Sequence, residues 1–490
     1  MELELKLALP LQDPALLEKQ LARSALIGRR RPRREQLHNV YYDTPDHALK
    51  RMAVALRVRR IEGKGTTQWV QTLKIGGAGD SALSRRGEWE TPIAAGTLDS
   101  AMLTDTPWMD LDGDGSLFQE LSPVFTTDFE RLSWVVKLQD ASVEIALDRG
   151  QVLMDGRSTP LHELEIELLE GDPAAVFEAA LQIGLHLSLL PLHMSKAERA
   201  YRLAEGTLDA PLRARPPALT EEMAFGAVAQ TVLRESFLQF TANLYTLRIS
   251  DAPEVLHQAR VGWRRFKSAL KLFKQLGPES GLPPRVSLKP LLAHMTELRD
   301  LDVAASEVLP AHAEAYQIGE AKHVISWRAM EEALEQERWR LRTELRNALA
   351  DPAVGRTLLQ ITHWIETTAI HRPDGKTRHK KQSVSAWARK RIAHLAEQVK
   401  AIPAKSKDPA MQHQLRILSK RLRYSVENLR PLLPRKRAER WLQTAIDSQT
   451  RIGRERDHLQ AIAIARRLQA VDGLVQFLRG AAFAAHPEPD

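Results

Sequence analysis

The chain has 490 residues, no cysteine and a formal net charge of +8. Its hydrophobic and charged fractions, 43% and 27%, are typical of a globular protein, and the absence of cysteine excludes disulfides, thiolate metal sites and cysteine nucleophiles. The sequence contains no apolar run of about 18 residues, and its acidic first residues do not resemble a signal peptide. We therefore expect a cytoplasmic protein without a membrane span.

The charge is divided unevenly along the chain. Residues 1–210 carry 24 lysines and arginines against 32 acidic residues, whereas residues 211–490 carry 46 against 30. The resulting net charges of −8 and +16 indicate two domains with different partners. A strongly basic half is typical of a domain that binds a polyanion.

Residues 1–205 are predicted to be a strand-rich α+β domain. In the first strand, Glu2, Glu4 and Lys6 alternate with leucines, so two carboxylates and an ammonium share one face. A helical segment follows at residues 14–23. Eight or nine short strands separated by turns predict a closed or nearly closed antiparallel sheet. The further strands are expected at residues 37–42, 53–60, 67–75, 85–91, 125–137, 141–149 and 162–169.

Charged residues recur in phase on one face of these strands. Arg57 and Arg59 share a face, and Glu163, Glu165 and Glu167 form an acidic ladder. A sheet closed around a polar lumen explains this recurrence better than a flat sheet facing water. Glu2 and Glu4 form a second acidic ladder. Neighbouring like charges need counterions, and all the ligands would be oxygens, so the two acidic ladders predict a site for Mg²⁺ or Mn²⁺.

These strands carry a series of motifs that resembles the CYTH superfamily, the triphosphate tunnel metalloenzymes. The resemblance implies an eight-stranded tunnel that cleaves triphosphates with a divalent metal ion. The matching motifs are ExExK at 2–6, YYDTP at 41–45, LRVR at 56–59, TxK at 72–74, RxExE at 86–90, DFxR at 128–131, EIALD at 144–148, ELEIE at 163–167 and SKxxR at 195–199.

The same resemblance implies roles for individual residues. It assigns the metal to Glu2, Glu4, Glu165 and Glu167, with Asp148 and Glu163 as further candidate ligands. It assigns phosphate contacts to Lys6, Arg57, Arg59, Lys74, Arg131, Lys196 and Arg199.

A second domain is predicted beyond a linker at residues 206–219. The linker contains Pro216 and Pro217, which cannot continue regular structure. Residues 220–485 show a helical period and predict an all-α bundle.

The helical half contains an internal repeat. One copy places His257, Arg260, Arg264 and Lys267 on one helix face, and the other places His413, Arg416, Lys420 and Arg423 on the same face. The opposite faces, Ala259, Phe266, Leu270 and Phe273 in one copy and Leu415, Leu422, Val426 and Leu429 in the other, are apolar. Like charges at this spacing destabilise a helix, which favours an anion-binding role for both stripes.

This repeat resembles the CHAD domain, the conserved histidine α-helical domain. In each copy of the repeat, the helix with the basic stripe is followed by a second helix that carries an Arg-Asp pair, Arg299-Asp300 in one copy and Arg456-Asp457 in the other. The resemblance implies a two-fold related helical bundle that binds inorganic polyphosphate along a basic groove. Few aromatic residues lie near the stripes, which argues against single-stranded nucleic acid as the partner. The segment 371–383 is predicted to be a basic loop, which either adds to this surface or is mobile.

The first hypothesis is therefore a metal-dependent inorganic triphosphatase with a polyphosphate-binding helical domain. A second hypothesis is a hydrolase or cyclase that acts on an organic triphosphate, thiamine triphosphate or ATP, with Trp69 and Trp89 as candidate stacking residues. A third is a non-catalytic polyphosphate-binding protein that associates with polyphosphate granules. The sequence leaves the metal preference and the oligomeric state open.

Overall fold

The computed structural model describes residues 2–10, 14–28, 30–63, 65–76, 81–274, 281–367, 383–403 and 408–485. Most of the basic segment 371–383 lies outside these residues. The chain forms two compact units. Unit 1 comprises Met1–Ala210, Leu244–Ser250 and Ala350–Thr367, and unit 2 comprises Pro211–Asn243, Asp251–Leu349 and Thr368–Asp490.

Unit 1 is built on a closed antiparallel barrel. Its eight main strands follow the order β5-β4-β3-β2-β6-β7-β8-β1, and the pairing of β1 with β5 closes the ring, while the short β9 pairs with β1. The closed sheet predicted from the sequence is confirmed. The strands are β1 (Glu2–Ala8), β2 (Arg33–Asp43), β3 (Val54–Gly63), β4 (Thr66–Ile75), β5 (Leu83–Ile93), β6 (Ser122–Leu138), β7 (Ala141–Met154), β8 (Arg157–Glu170) and β9 (Leu190–Pro191).

The chain also forms sixteen α-helices within the described residues, six of them before residue 210. They are α1 (Pro14–Leu21), α2 (Ala48–Arg51), α3 (Trp108–Leu111), α4 (Ser116–Gln119), α5 (Ala174–Ile183), α6 (Lys196–Ala204), α7 (Phe225–Thr246), α8 (Pro253–Leu272), α9 (Lys289–Val303), α10 (Pro310–Gln317), α11 (Ala321–Leu349), α12 (Pro352–Thr367), α13 (Val384–Lys400), α14 (Pro409–Leu429), α15 (Arg435–Arg467) and α16 (Asp472–Ala485).

The apolar core of unit 1 lies on the outside of the barrel. Leu5 and Leu7 of β1 are fully buried, together with Leu164 and Ile166 of β8. They share one core cluster with α1, α5 and Leu359 of α12. Because successive side chains of a strand point to opposite faces, the polar residues that alternate with them face the barrel interior.

A helix from far along the chain completes this core. Leu359 of α12 is fully buried, and a Cβ on Gly355 would come within 2.8 Å of the Leu189 backbone nitrogen. The imidazole of His363 stacks on Phe177 of α5, with ring centroids 4.7 Å apart. The chain therefore contributes residues beyond position 349 to the unit that holds its N-terminal barrel.

Unit 2 is helical, as predicted. In α8 and α14 the apolar face is buried and the cationic face is at least partly accessible. Arg265 of α8 donates hydrogen bonds to Glu427 and Asn428 of α14, at 2.9 and 2.6 Å, which holds the two helices side by side. Gly262 allows close approach of α8 to α7, because a Cβ there would lie 2.5 Å from the Phe240 nitrogen. No helix among the described residues is long and apolar enough to cross a membrane.

Candidate functional site

The barrel encloses a cavity of about 580 Å³. Most of its wall comes from alternate residues of the strands, and the rest from the start of α6. Charged side chains of both signs dominate the wall, so it is suited to an anionic ligand held together with a cation. The cationic lining residues are Lys6, Arg33, Arg57, Arg59, Lys74, Arg86, Arg131 and Lys196, and the acidic ones are Glu2, Glu4, Glu35, Glu88, Glu90, Glu144, Glu165 and Glu167.

Strand register brings the predicted acidic ladders together. Glu4 of β1 pairs with Glu167 of β8, and Glu167 pairs in turn with Glu144 of β7. On the other side of β1, Glu2 pairs with Arg86 of β5. Carboxylates from four strands therefore meet at one part of the wall. We call Glu2, Glu4, Glu88, Glu144 and Glu167 the acidic cluster.

The acidic cluster has more carboxylates than neighbouring cations. Its ion pairs within the described residues are those of Lys74 with Glu2 and Glu88, of Lys6 with Glu4 and of Arg57 with Glu88, at 3.2, 2.8, 3.4 and 3.5 Å. Burial and a hydrogen bond shared with Glu88 raise the pKa of Glu2 to about 8. Burial and the charges of Glu4 and Glu144 raise the pKa of Glu167 to about 7. Burial and the neighbouring Glu165 also raise the pKa of Glu4. Carboxylates in this condition take up either protons or a metal cation, so the cluster fits a hard divalent ion.

A second acidic group lies deeper in the wall. Asp148, Glu163 and Glu165 offer carboxylate oxygens that all lie within 4.8 Å of one another and could hold a metal ion. However, Lys196 Nζ already lies 2.8, 2.5 and 2.8 Å from these three carboxylates. Arg131 also donates two hydrogen bonds of 2.7 Å to Asp148. A metal ion would have to displace Lys196, so the acidic cluster is the better candidate.

The arginines that β3 and β6 contribute to the wall are closely spaced. Burial and the charges of Arg57 and Arg131 lower the pKa of Arg59 to about 10. Arg57 lies 3.4 Å from Glu90 and donates a hydrogen bond to the Tyr41 hydroxyl at 3.3 Å. Positive charges that crowd one another in a buried site favour binding of an anion.

The structure places the predicted site residues in two layers. Six of the seven predicted phosphate contacts and four of the six predicted metal ligands line the cavity. Asp148 and Glu163 are fully buried behind Lys196, and Arg199 lies outside the lining set within the described part of the chain. These roles remain predictions.

Several lining residues were missing from the predicted site. Glu88 and Glu144 complete the acidic cluster, and Glu90 contacts Arg57 and Arg59 at 3.4 and 3.8 Å. The in-phase pattern of Arg86, Glu88 and Glu90 was the signal in the sequence that could have identified them.

A separate basic surface lies in unit 2. Burial and the charges of Arg264 and Arg416 lower the pKa of Lys420 to about 7. Burial and the charge of Arg264 lower the pKa of Arg260 to about 10. These shifts place cations of α8, α14 and α15 near one another. We define the basic helical surface as Arg260, Arg264, Lys267, Arg416, Lys420 and Arg456.

The basic helical surface differs from the predicted stripes in four positions. His413 is exposed, and Arg423 donates a hydrogen bond to Glu427 at 2.9 Å. Burial and the charge of Arg299 lower the pKa of His257 to about 4, so this histidine lies beside the cations as a neutral ring. Arg456, predicted in the second element of the repeat and not in the stripes, joins the surface and lies 3.7 Å from Asp300.

The fold and the site define a protein with a polar-lined antiparallel barrel and a helical domain that carries crowded cations. Residues 1–201 match the profile of the CYTH domain, and residues 231–466 match that of the CHAD domain. The chain therefore belongs to the proteins that carry a CYTH domain followed by a CHAD domain.

The chain is similar to characterised proteins over parts of its length. It is 32% identical over 204 residues to an inorganic triphosphatase of Haemophilus influenzae, a match that spans 41% of this chain and about half, 54%, of that relative. The CHAD domain structure from Ricinus communis is 26% identical, with a TM-score of 0.47, and the match covers 57% of this chain and 93% of that one. A putative adenylyl cyclase from Hippeastrum, described as having a dominant triphosphatase activity, is 19% identical with a TM-score of 0.31, covering 42% and 96%.

Proposed function

We propose that this protein is a metal-dependent inorganic triphosphatase that hydrolyses tripolyphosphate to diphosphate and phosphate in the barrel cavity. The observation that carries the proposal is the division of the wall. An acidic cluster in which the pKa values of Glu2, Glu4 and Glu167 are raised shares one cavity with closely spaced arginines and lysines. The 32% identity to an inorganic triphosphatase supports the same reaction.

The wall favours an inorganic substrate over an organic triphosphate. Tyr41 is the one aromatic residue among the described lining residues. Trp69 and Trp89 alternate with the inward-facing residues of β4 and β5 and are not part of the lining. Thiamine or adenine would need apolar or stacking contacts, whereas the phosphates of tripolyphosphate can use charged groups along their whole length.

Carboxylates of the acidic cluster, with Glu165, would hold Mg²⁺ or Mn²⁺. When bound, the ion would neutralise phosphoryl oxygens and acidify the attacking water. The donor set contains only oxygens, which suits both metals.

The remaining lining cations would bind and orient the triphosphate. Arg57, Arg59 and Arg131 would receive phosphoryl oxygens. The charges of Arg57 and Arg131, together with burial, lower the pKa of Arg59, so an anion beside Arg59 is favoured. Water attacks a terminal phosphorus, the bridging P–O bond breaks, and diphosphate leaves. Charge that spreads over the transferred group is stabilised by Lys6, Lys74 and Lys196.

A substrate panel with one variant tests this proposal. We expect phosphate release from tripolyphosphate with Mg²⁺ or Mn²⁺, at least tenfold faster than from thiamine triphosphate or ATP. Glu4→Gln removes a central carboxylate and is expected to lower kcat by about 10³-fold, on the scale of losing one electrostatic group. Glu62→Gln is the matched control, because Glu62 pairs with Arg60 at 3.4 Å and is not part of the cavity lining.

Three results would reject the assignment. Full activity of Glu4→Gln would remove the acidic cluster from the reaction. Faster hydrolysis of an organic triphosphate would replace the proposed substrate. An inactive wild type that still binds polyphosphate would favour the non-catalytic alternative.

We infer that the basic helical surface binds inorganic polyphosphate. Its cations come from three helices, and burial together with the charges of neighbouring cations lowers the pKa values of Lys420 and Arg260. A repeating phosphate chain supplies closely spaced negative charge without needing aromatic stacking. Such binding would place the protein on polyphosphate granules in the cytoplasm.

Charge reversal in the full chain tests this inference. Arg264→Glu and Lys420→Glu should each weaken binding of long-chain polyphosphate by roughly 30-fold or more. Arg435→Glu is the control, because Arg435 is 88% exposed and lies on the same unit outside the basic helical surface. Equal affinity for an RNA of the same charge would contradict a polyphosphate-selective surface.

A further inference from the structure

Arg199 lies behind the cavity wall, and its guanidinium has partners there. Its Nη1 donates to the Pro160 carbonyl at 3.2 Å and to the Tyr245 hydroxyl at 3.0 Å. Its Nη2 donates to Glu163 at 3.4 Å. The side chain is only 7% exposed. A direct phosphate contact would require Arg199 to give up these bonds.

Glu163 connects Arg199 to the cavity. Its other carboxylate oxygen lies 2.5 Å from Lys196 Nζ, and Lys196 is part of the lining. Glu163 is fully buried and divides its charge between the two cations. Without Arg199, this carboxylate would be neutralised by Lys196 alone and would hold the ammonium more tightly, because an unpaired buried charge is costly.

The hydroxyl that fixes Arg199 comes from beyond the CYTH match. Tyr245 belongs to the segment Leu244–Ser250, which is part of unit 1 although the CYTH match ends at residue 201. This segment is fastened to the barrel, since Arg248 donates a hydrogen bond to the carbonyl of Leu9. The Arg248 guanidinium also lies over the Tyr245 ring, 5.3 Å from its centroid.

We propose that Arg199 and Tyr245 are positioning residues of the triphosphate site. Arg199 shares the charge of Glu163, and Tyr245 fixes the Arg199 guanidinium. Glu163 therefore holds Lys196 Nζ less tightly, and Lys196, which also lies 2.8 Å from both Asp148 and Glu165, can shift toward a phosphoryl oxygen in the cavity. This inference rests on the proposed triphosphatase function. It assigns Arg199 an indirect role in place of a phosphate contact, and it makes a residue outside the CYTH match part of the site.

Steady-state kinetics of full-chain variants test the pair. Arg199→Gln should raise KM for tripolyphosphate at least tenfold, because Lys196 binds the substrate less well, and should also lower kcat, because Lys196 stabilises the transferred group. Tyr245→Phe should raise KM about threefold, and Arg199→Lys should recover at least half of the logarithmic loss. The control Arg202→Gln removes an ion pair with Glu198 on the same helix and should leave KM within twofold of wild type.

A purely structural role would give a different pattern. An Arg199→Gln enzyme with unchanged KM and a lower melting temperature overturns the proposal, and so does failure of Arg199→Lys to recover KM. If Arg199→Gln does not fold, Tyr245→Phe and Arg199→Lys carry the comparison, and wild-type KM in both overturns it.

Calorimetry separates this inference from the triphosphatase function. If the wild type binds tripolyphosphate with Mg²⁺ but does not hydrolyse it, the proposed activity fails. A dissociation constant that rises from the wild type to Tyr245→Phe and again to Arg199→Gln would still support the pair. If wild type and Arg199→Gln bind tripolyphosphate equally, the pair is rejected even for an active enzyme. Absence of binding to the wild type rejects both.

Discussion

The barrel cavity and the basic helical surface both collect cations, but under opposite electrostatic conditions. In the cavity, Lys196 and Arg131 bond carboxylates at 2.5 to 2.8 Å, and those charges raise the pKa of both groups despite their burial. On the basic helical surface, Lys420 is surrounded by other cations, and its pKa falls to about 7. We therefore expect the cavity to bind an anion together with a metal ion, and the basic helical surface to bind an anion by itself.

Removal of the metal should produce the largest difference between the two regions, a loss of hydrolysis without a loss of polyphosphate binding. Chelation with EDTA is expected to lower tripolyphosphate hydrolysis by about 10³-fold or more, because the acidic cluster then repels the substrate. Polyphosphate binding by the same sample should stay within twofold. Measurement of both quantities on one preparation checks the contrast, and a parallel loss of binding would contradict it.

The metal requirement should also depend on pH. The pKa values of Glu167 and Glu2, about 7 and 8, mean that both carboxylates hold protons at pH 6 and release them as the pH rises. Metal and protons compete for these oxygens, so the Mg²⁺ concentration for half-maximal activity should fall at least tenfold between pH 6 and 8.5. A constant requirement across this range would contradict the assignment of the acidic cluster.

Added salt should weaken polyphosphate binding by the basic helical surface more than tripolyphosphate hydrolysis in the cavity. A polyanion held by about five cations is expected to lose roughly several hundredfold in affinity between 50 and 200 mM salt, because bound counterions are released. Tripolyphosphate in the enclosed cavity should lose less than tenfold in kcat/KM. Fluorescence titration with labelled polyphosphate and initial rates at matched salt concentrations measure the two slopes. Equal slopes would remove the distinction.

Core truncation tests whether the two units respond separately. Leu359→Ala removes a fully buried side chain from the core of unit 1 and should cost about 2–5 kcal/mol. Leu345→Ala is the matched change in α11 of unit 2, where Leu345 is 2% exposed. Leu359→Ala should lower the temperature at which hydrolysis is lost, and Leu345→Ala that at which polyphosphate binding is lost. The reverse pattern would contradict the division into units.

The smallest effect concerns pH and the basic helical surface. Lys420, facing Arg264, Arg416, Arg456 and Arg260, has its pKa lowered to about 7, and a bound polyanion favours the ammonium form. Binding therefore takes up a proton above pH 7, and affinity should fall about tenfold from pH 6 to pH 8. In Lys420→Arg the charge persists throughout this range, so the slope should disappear. An unchanged slope would assign it to another group.

Alternation in the strands was sufficient to predict the closed sheet and most of the cavity wall. The phase of Glu2, Glu4 and Lys6 in β1, and of Glu165 and Glu167 in β8, fixes which side chains share the interior. Strand phase could not show that Asp148 and Glu163 lie behind Lys196. That depth depends on how α6 enters the barrel, which is a matter of tertiary packing.

The sequence also did not predict that segments of its second half belong to unit 1. The pattern of α12 predicts an amphipathic helix, but an apolar face does not reveal which partner it covers. Leu359 and Tyr245 therefore appeared to belong to the helical domain. The domain limits at residues 205 and 220 remain predictions, and the segments at 244–250 and 350–367 complicate any design of isolated halves.

The place of α12 in the core of unit 1 has a consequence for synthesis. The ribosome finishes the barrel strands long before it makes Leu359, and the roughly 140 residues between positions 210 and 350 take about 7–28 s to translate. During that interval the apolar side chains around Leu187 and Leu189 lack the helix that covers them. The nascent chain is thus most exposed to aggregation while unit 2 is being made, and chaperone contact should be concentrated there.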